Sequence, residues 1–90
     1  MDSIKVERLG SEELDKRGVR DWPIWEKEES QFPWSYDDRE QCLLLRGDVT
    51  VRTDDGQEVR IEQGDFVTFA KGLSCEWIIH KAVRKHYNFG

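Results

Sequence analysis

Short apolar runs joined by glycine-containing turns are the feature that most limits how this chain can fold. The clearest example is Phe66–Phe69, which has a glycine shortly before it and another shortly after it. Runs of this length indicate β-strands, and tight turns between consecutive strands permit only antiparallel pairing. A helical pattern occurs only from Ser11 to Gly18, where the serine can cap the start and the glycine can end the helix. We therefore predict an all-β fold, an antiparallel jelly-roll barrel or sandwich with one short N-terminal helix.

The segment around Asp54-Asp55-Gly56 indicates a β-hairpin whose register can be derived. With a two-residue turn, Val51 would lie opposite the charged Arg60. With a three-residue loop, Val51 lies opposite Val59, and Gly56 takes the left-handed conformation of a bulge. The second register places apolar residues opposite apolar residues on one face and charged residues opposite charged residues on the other. We therefore predict the three-residue loop.

Charge and hydropathy narrow the classes of partner. The chain carries 19 acidic and 14 basic residues, whereas a nucleic-acid-binding domain normally has a basic face. No apolar run approaches the roughly 20 residues of a membrane span, and the first residues lack the apolar region of a signal peptide. We predict a single domain over residues 1–90 with neither a nucleic-acid nor a membrane partner.

The two cysteines, Cys42 and Cys75, are too few for a disulfide framework and lack the spacing of a zinc site. Free cysteines are typical of a reducing compartment. We therefore expect a cytoplasmic protein. The alternative left open is a protein from which a transit peptide has been removed.

Two spaced patterns resemble the motifs of the cupin family. The spacing from Glu40 to Gly47 is similar to the end of the first cupin motif, and the glycines between Gly64 and Cys75 are similar to the second. Residues 22–26 and 84–87 look like those of small single-domain cupins related to the cupin domain of (S)-ureidoglycine aminohydrolase. The resemblance implies an RmlC-like jelly roll.

The resemblance also implies a site for a divalent metal, which typical cupins hold through three histidines and one glutamate. In this chain Trp34, Tyr36 and Cys75 stand at the histidine positions, and only Glu40 keeps its identity. Indole offers no lone pair to a metal, and phenol or thiol would first have to lose a proton. We predict no cofactor; a divalent metal held by Glu40, Cys75 and Tyr36 is the alternative.

Strand alternation then predicts a pocket, because alternate residues of a strand face the same side. If Glu40 faces the interior, its carboxylate is the candidate general acid or base, since a buried carboxylate must be paired, protonated or bound. The structural alternative pairs it with Lys85 or Arg84, although the basic run 84–87 is more typical of a solvated strand face. Aromatic residues that simply fill the barrel are a second alternative. The predicted ligand-binding residues are Trp34, Tyr36, Cys42, Cys75 and Trp77.

These observations predict a small cupin that binds a small polar metabolite, such as a ureido, amino-acid or sugar-like compound, around Glu40. One alternative is a metal-dependent hydrolase- or isomerase-like enzyme similar to ureidoglycine aminohydrolase. The other is a structural or regulatory module without a substrate. In that case Leu43 and Leu45, on the outer face, would be buried in a homodimer or under the N-terminal segment.

Overall fold

The computed structural model describes residues 3–90, in which antiparallel strands form one continuous 7-stranded sheet. One short α-helix and one 3₁₀ turn precede most of the strands. The elements are β1 Ile4–Glu7, α1 Ser11–Lys16, the 3₁₀ turn Val19–Asp21, β2 Ile24–Lys27, β3 Ser30–Ser35, β4 Glu40–Thr53, β5 Glu58–Glu62, β6 Phe66–Phe69 and β7 Ser74–Phe89. The predicted all-β jelly-roll class with one short helix is confirmed.

Two long strands, β4 and β7, run through both layers of the fold. The first part of β4 pairs with β6 and with the second part of β7, whose other neighbour is β2. The last part of β4 pairs with β5 and with the first part of β7, whose other neighbour is β3. The two layers enclose an apolar cluster that includes Leu44, Val51, Ile61, Phe69 and Trp77.

The bend in β4 coincides with a series of register shifts between Leu44 and Val49. Gly47 lies at this bend with a φ of 128°, in the region that favours glycine. A side-chain carbon at this position would lie 2.9 Å from Val83 Cγ2 and 3.2 Å from the carbonyl oxygen of Ala82. Gly47 resembles a strand break in the sequence, but it is the residue that lets one strand serve both layers.

The hairpin between β4 and β5 has the predicted register. Val51 lies opposite Val59, and Val49 lies opposite Ile61. Gly56 has a φ of 92° and donates its N–H to the carbonyl oxygen of Thr53 at 3.0 Å. The prediction of a three-residue loop is confirmed.

The outer face of β4 is covered by the N-terminal segment. Leu43 is 7% exposed and packs in a second apolar cluster with Phe66 of β6, Leu14 of α1 and Val19 of the 3₁₀ turn. Leu45 is partly buried against the same cluster. Of the two covers predicted for this face, the structure therefore shows the N-terminal segment.

The helix that makes this cover starts one residue earlier than predicted, because Gly10 is the N-cap and Ser11 is the first helical residue. Gly18 has the predicted left-handed conformation, with a φ of 67°. Neither helix of residues 3–90 has the length and apolar character of a transmembrane span.

The bend predicts that Gly47→Ala destabilises the protein strongly. The added methyl group would lie closer to Val83 Cγ2 than real side chains come and would crowd the backbone of β7, in a backbone conformation unfavourable for alanine. We expect the free energy of unfolding, measured by urea denaturation, to fall by about 2–4 kcal/mol. Gly10→Ala is the matched control, because Gly10 has a negative φ and open space around it. Equal stability of the two variants would contradict the role of Gly47.

Candidate functional site

A buried ion pair lies at the centre of the candidate site. Glu40 begins β4 and Lys85 belongs to the second part of β7, and these residues are 2% and 5% exposed. Lys85 Nζ donates a hydrogen bond to Glu40 Oε2 at 2.7 Å. Glu40 therefore meets the condition set for the pocket, because it faces the interior, and the structural alternative is also observed, since Lys85 of the last strand is its partner. The expectation that run 84–87 is a solvated face is wrong for Lys85.

The ammonium group of Lys85 also lies between two indole rings. Its Nζ is 4.9 Å from the ring centroid of Trp25 and 4.7 Å from that of Trp77. An ammonium over an aromatic face is attracted by the ring quadrupole, and the attraction grows when water is excluded. The positive charge is therefore balanced by one carboxylate and two rings.

The aromatic walls form a connected set around this pair. Trp77 stacks on Phe32 with ring centroids 6.3 Å apart, and its edge-to-face contact with Trp25 has a centroid distance of 6.0 Å. Trp77 Nε1 donates a hydrogen bond to the hydroxyl of Tyr36 at 3.1 Å. Tyr36 in turn stacks on Phe69 at 4.7 Å. These contacts fix the orientation of the rings that surround the ion pair.

A cavity of about 200 Å³ opens above the pair. Its volume is somewhat larger than the ~150 Å³ cavity that admits benzene in an engineered protein. Trp34 and Phe89, which are 46% and 48% exposed, lie among its lining residues and mark its open side. The residues that line it are Trp25, Phe32, Trp34, Tyr36, Glu40, Trp77, Lys85, Tyr87 and Phe89. The cavity is thus a small aromatic container with one carboxylate and one ammonium group at its base.

Four of the residues predicted for the site, Trp34, Tyr36, Glu40 and Trp77, line this cavity. The two predicted thiols do not. Cys75 pairs with Trp34 across β3 and β7, and its Sγ lies 3.6 Å from the carbonyl oxygen of Trp34. Cys42 is fully buried in the apolar cluster. The placement of Cys42 and Cys75 among the pocket residues is therefore corrected, because both belong to the apolar cluster and neither lines the cavity.

Burial also suppresses the ionisation of the thiols and of the phenol. Loss of solvation raises the pKa of Cys42 to about 12 and that of Cys75 to about 11, and the charge of Glu40 adds to both shifts. Burial, followed by the charge of Glu40, raises the pKa of Tyr36 far above its ordinary value. All three groups therefore stay protonated near neutral pH.

Five residues that the sequence analysis did not assign to the pocket supply much of the site. Trp25 and Phe32 come from β2 and β3, and Lys85, Tyr87 and Phe89 come from the end of β7. A signal for the last three was present, because they continue the alternation that places Trp77 in the interior. Residues 80–82 are exposed and interrupt the apolar pattern, so the alternation read from the sequence alone ends at residue 79.

The donor set does not suit a divalent metal. Among residues 3–90, no three His, Cys, Asp or Glu side chains come close enough to hold an ion together. Glu40 is already bonded to the Lys85 ammonium, whose charge would repel a cation. Tyr36, with its raised pKa, and Trp34 are poor ligands. The residues present therefore do not fit the group that typical cupins bind.

Comparison with known proteins gives a family match and similar solved structures. The family model described as the EutQ-like cupin domain matches residues 14–87. A DUF861 family protein from Thermotoga maritima has 50% sequence identity and a TM-score of 0.95, over 97% of this chain and 99% of that protein. The EutQ protein of Clostridium difficile has 17% identity and a TM-score of 0.65, over 97% of this chain and 71% of that one.

A putative ethanolamine utilization protein Q from Salmonella typhimurium has 22% identity and a TM-score of 0.64, over 93% of this chain and 66% of that one. At this identity, as for the protein from Clostridium difficile, the similarity concerns the fold. No curated protein matches the chain significantly.

The ion pair predicts a specific pattern of stability among variants. Removing one partner leaves the other charge buried, so Glu40→Met or Lys85→Met alone should lower the free energy of unfolding by about 3–5 kcal/mol. The double variant leaves no buried charge and should recover most of that loss. Urea denaturation of the four proteins measures the coupling. Additive losses in the double variant would show that the two side chains do not stabilise each other.

The raised pKa of Cys42 predicts a loss of stability at alkaline pH. The unfolded thiol ionises near its ordinary pKa of 9.0, while the folded thiol resists ionisation until about 12. Since the folded state then holds more protons than the unfolded state, the free energy of unfolding falls as pH rises through this interval.

Between about pH 8 and about pH 10.5, the wild type should lose roughly 1–2 kcal/mol more than Cys42→Val. Urea denaturation at both pH values gives this difference. Parallel pH profiles for the two proteins would contradict the predicted burial of the thiol.

Proposed function

This chain belongs to the EutQ-like cupin domain family, and we propose that it binds a small polar metabolite in the cavity above Glu40 and Lys85. At the level of the family, the prediction of a small cupin is confirmed. The narrower relation to ureidoglycine aminohydrolase stays a prediction.

The observation that carries the proposal is the position of the ion pair at the base of a cavity. A buried ion pair rarely stabilises a fold better than apolar residues of similar volume do. In the packed centre of this protein, apolar side chains would serve the fold at least as well. An ion pair that borders a cavity of about 200 Å³ instead offers a hydrogen-bond acceptor and donor to an incoming molecule.

The charges indicate what kind of molecule would fit. The pair is neutral overall, so a simple anion would be opposed by Glu40 and a simple cation by Lys85. A ligand with both a donor and an acceptor satisfies the two groups at once, as ureido compounds, amino acids and sugars do. The flat aromatic walls add contact area for a planar group or a sugar face. The cavity volume limits such a ligand to roughly ten non-hydrogen atoms.

Glu40 is the group that we expect to exchange protons with a bound molecule, as general acid or base. It is the one carboxylate that lines the cavity within residues 3–90. The alternative of a metal-dependent enzyme has less support. The phenol of Tyr36 stays protonated and the carboxylate of Glu40 is paired with the Lys85 ammonium, so neither is a good ligand for a metal ion. The alternative of a homodimer through Leu43 and Leu45 also has less support, since α1 and the 3₁₀ turn cover this face.

The proposal predicts ligand-dependent fluorescence from the cavity indoles. Titration with N-carbamoylglycine, β-alanine and ribose as representatives of the three classes should change tryptophan emission for at least one of them. Glu40→Gln keeps the shape of the side chain but removes its charge, and should weaken that binding at least tenfold, or about 1.4 kcal/mol.

Glu62→Gln is the matched control, because Glu62 is exposed on β5 and lies outside the cavity lining. Circular dichroism is the check that both variants are folded. Undiminished affinity in the folded Glu40→Gln variant would overturn the assignment of the site.

A further inference from the structure

We propose that Lys85 reacts reversibly with small aldehydes or ketones that enter the cavity and forms an imine through its Nζ. The inference rests on the proposed function, since it uses the same cavity. It assigns a covalent chemistry to Lys85 that is independent of the polar ligands considered above. Buried lysines in apolar pockets are the residues that proteins use for Schiff-base chemistry.

The position of Lys85 separates it from an ordinary surface lysine. The residue is 5% exposed and borders the cavity. Within residues 3–90, Glu40 is the only hydrogen-bond partner of its Nζ, and two indole rings take the place of water on other sides. Lys81, four residues earlier on the same strand, is exposed to solvent. The two lysines therefore share a strand and differ in environment.

Imine formation requires the neutral amine of Lys85, and proton transfer to Glu40 would produce it. Transfer of one proton across the 2.7 Å contact converts ammonium and carboxylate into amine and carboxylic acid. The converted pair has no buried charge, so the transfer removes the desolvation cost of both groups. Glu40 is therefore placed to accept the proton that Lys85 must release before its nitrogen can attack.

The chemical step balances with these two residues alone. Glu40 takes one ammonium proton, and Nζ forms a bond to the carbonyl carbon while a second nitrogen proton moves to the carbonyl oxygen. Glu40 then returns its proton to the resulting hydroxyl group, and the carbon–oxygen bond breaks as water leaves. The third proton stays on the iminium nitrogen. The reaction consumes one carbonyl compound, releases one water and leaves Glu40 ionised.

The product fits the site as well as the starting group does. An iminium ion carries the same single positive charge as the ammonium ion, so Glu40, Trp25 and Trp77 face an equivalent charge before and after the reaction. The aromatic walls limit the access of water, which favours dehydration of the intermediate. The cavity of about 200 Å³ accepts a short aliphatic carbonyl compound beside Nζ.

Reductive trapping tests the proposal on the full chain. The protein is incubated at neutral pH with propanal and sodium cyanoborohydride, and peptide mapping by mass spectrometry follows alkylation at each lysine. We expect Lys85 to be alkylated at least about tenfold faster than Lys81, although Lys85 is buried. A buried lysine with only a structural role would instead react more slowly than Lys81. Equal or slower alkylation of Lys85 would overturn the proposal.

Two variants define the source of the fast reaction. Lys85→Arg keeps the positive charge but cannot form an imine under these conditions, so the fast phase should vanish. Lys81→Met, the matched control on the same strand, should retain it. A fast phase that persists in a folded Lys85→Arg protein would assign the reaction to another group and overturn the proposal.

The failure of this inference is distinguishable from failure of the proposed function. If Lys85 is not alkylated but a polar probe still changes tryptophan emission in a Glu40-dependent manner, only the covalent chemistry is overturned. If Lys85 is alkylated rapidly and no polar probe binds, the imine is supported and the proposed metabolite class is wrong.

Discussion

The hydrogen-bonded contact between Glu40 and Lys85 is the interaction on which the site depends. Two charges with almost no exposure to water would be unfavourable alone, and their 2.7 Å contact makes them compatible with an apolar interior. The indoles of Trp25 and Trp77 complete the environment of the ammonium group. Glu40 belongs to β4, Trp25 belongs to β2, and Trp77 and Lys85 belong to β7. The site therefore forms only when these three strands are correctly placed.

That placement follows from the bend that β4 and β7 share. Each long strand contributes its two parts to different layers, so the layers are joined by continuous backbone and enclose the aromatic residues between them. Gly47 makes the bend feasible, because the backbone of β7 approaches it too closely for a side chain. The cavity is a consequence of this geometry, with Trp34 and Phe89 at its open side.

The chemistry of the cavity differs from the metal chemistry that the family resemblance implied. Indole, phenol and thiol groups replace the expected imidazoles, and burial keeps the phenol of Tyr36 and the thiol of Cys75 protonated. What remains at the cavity is an ion pair whose donor and acceptor atoms lie 2.7 Å apart. Both proposals use this pair, one through hydrogen bonds to a polar ligand and the other through a covalent bond to a carbonyl carbon.

The sequence by itself determined the local features: the all-β class, the hairpin loop at Gly56 and the residues that share a strand face with Glu40. Turn geometry and strand alternation act over a few residues and can be derived from neighbours. Only the tertiary structure decided that Lys85, 45 residues away, is the buried partner of Glu40, and that Trp25 covers it. The tertiary structure also shows that Cys42 packs in the apolar cluster and does not line the cavity. Alternation assigns a side chain to a face, but the distance between that side chain and a cavity depends on how distant strands bend and pack.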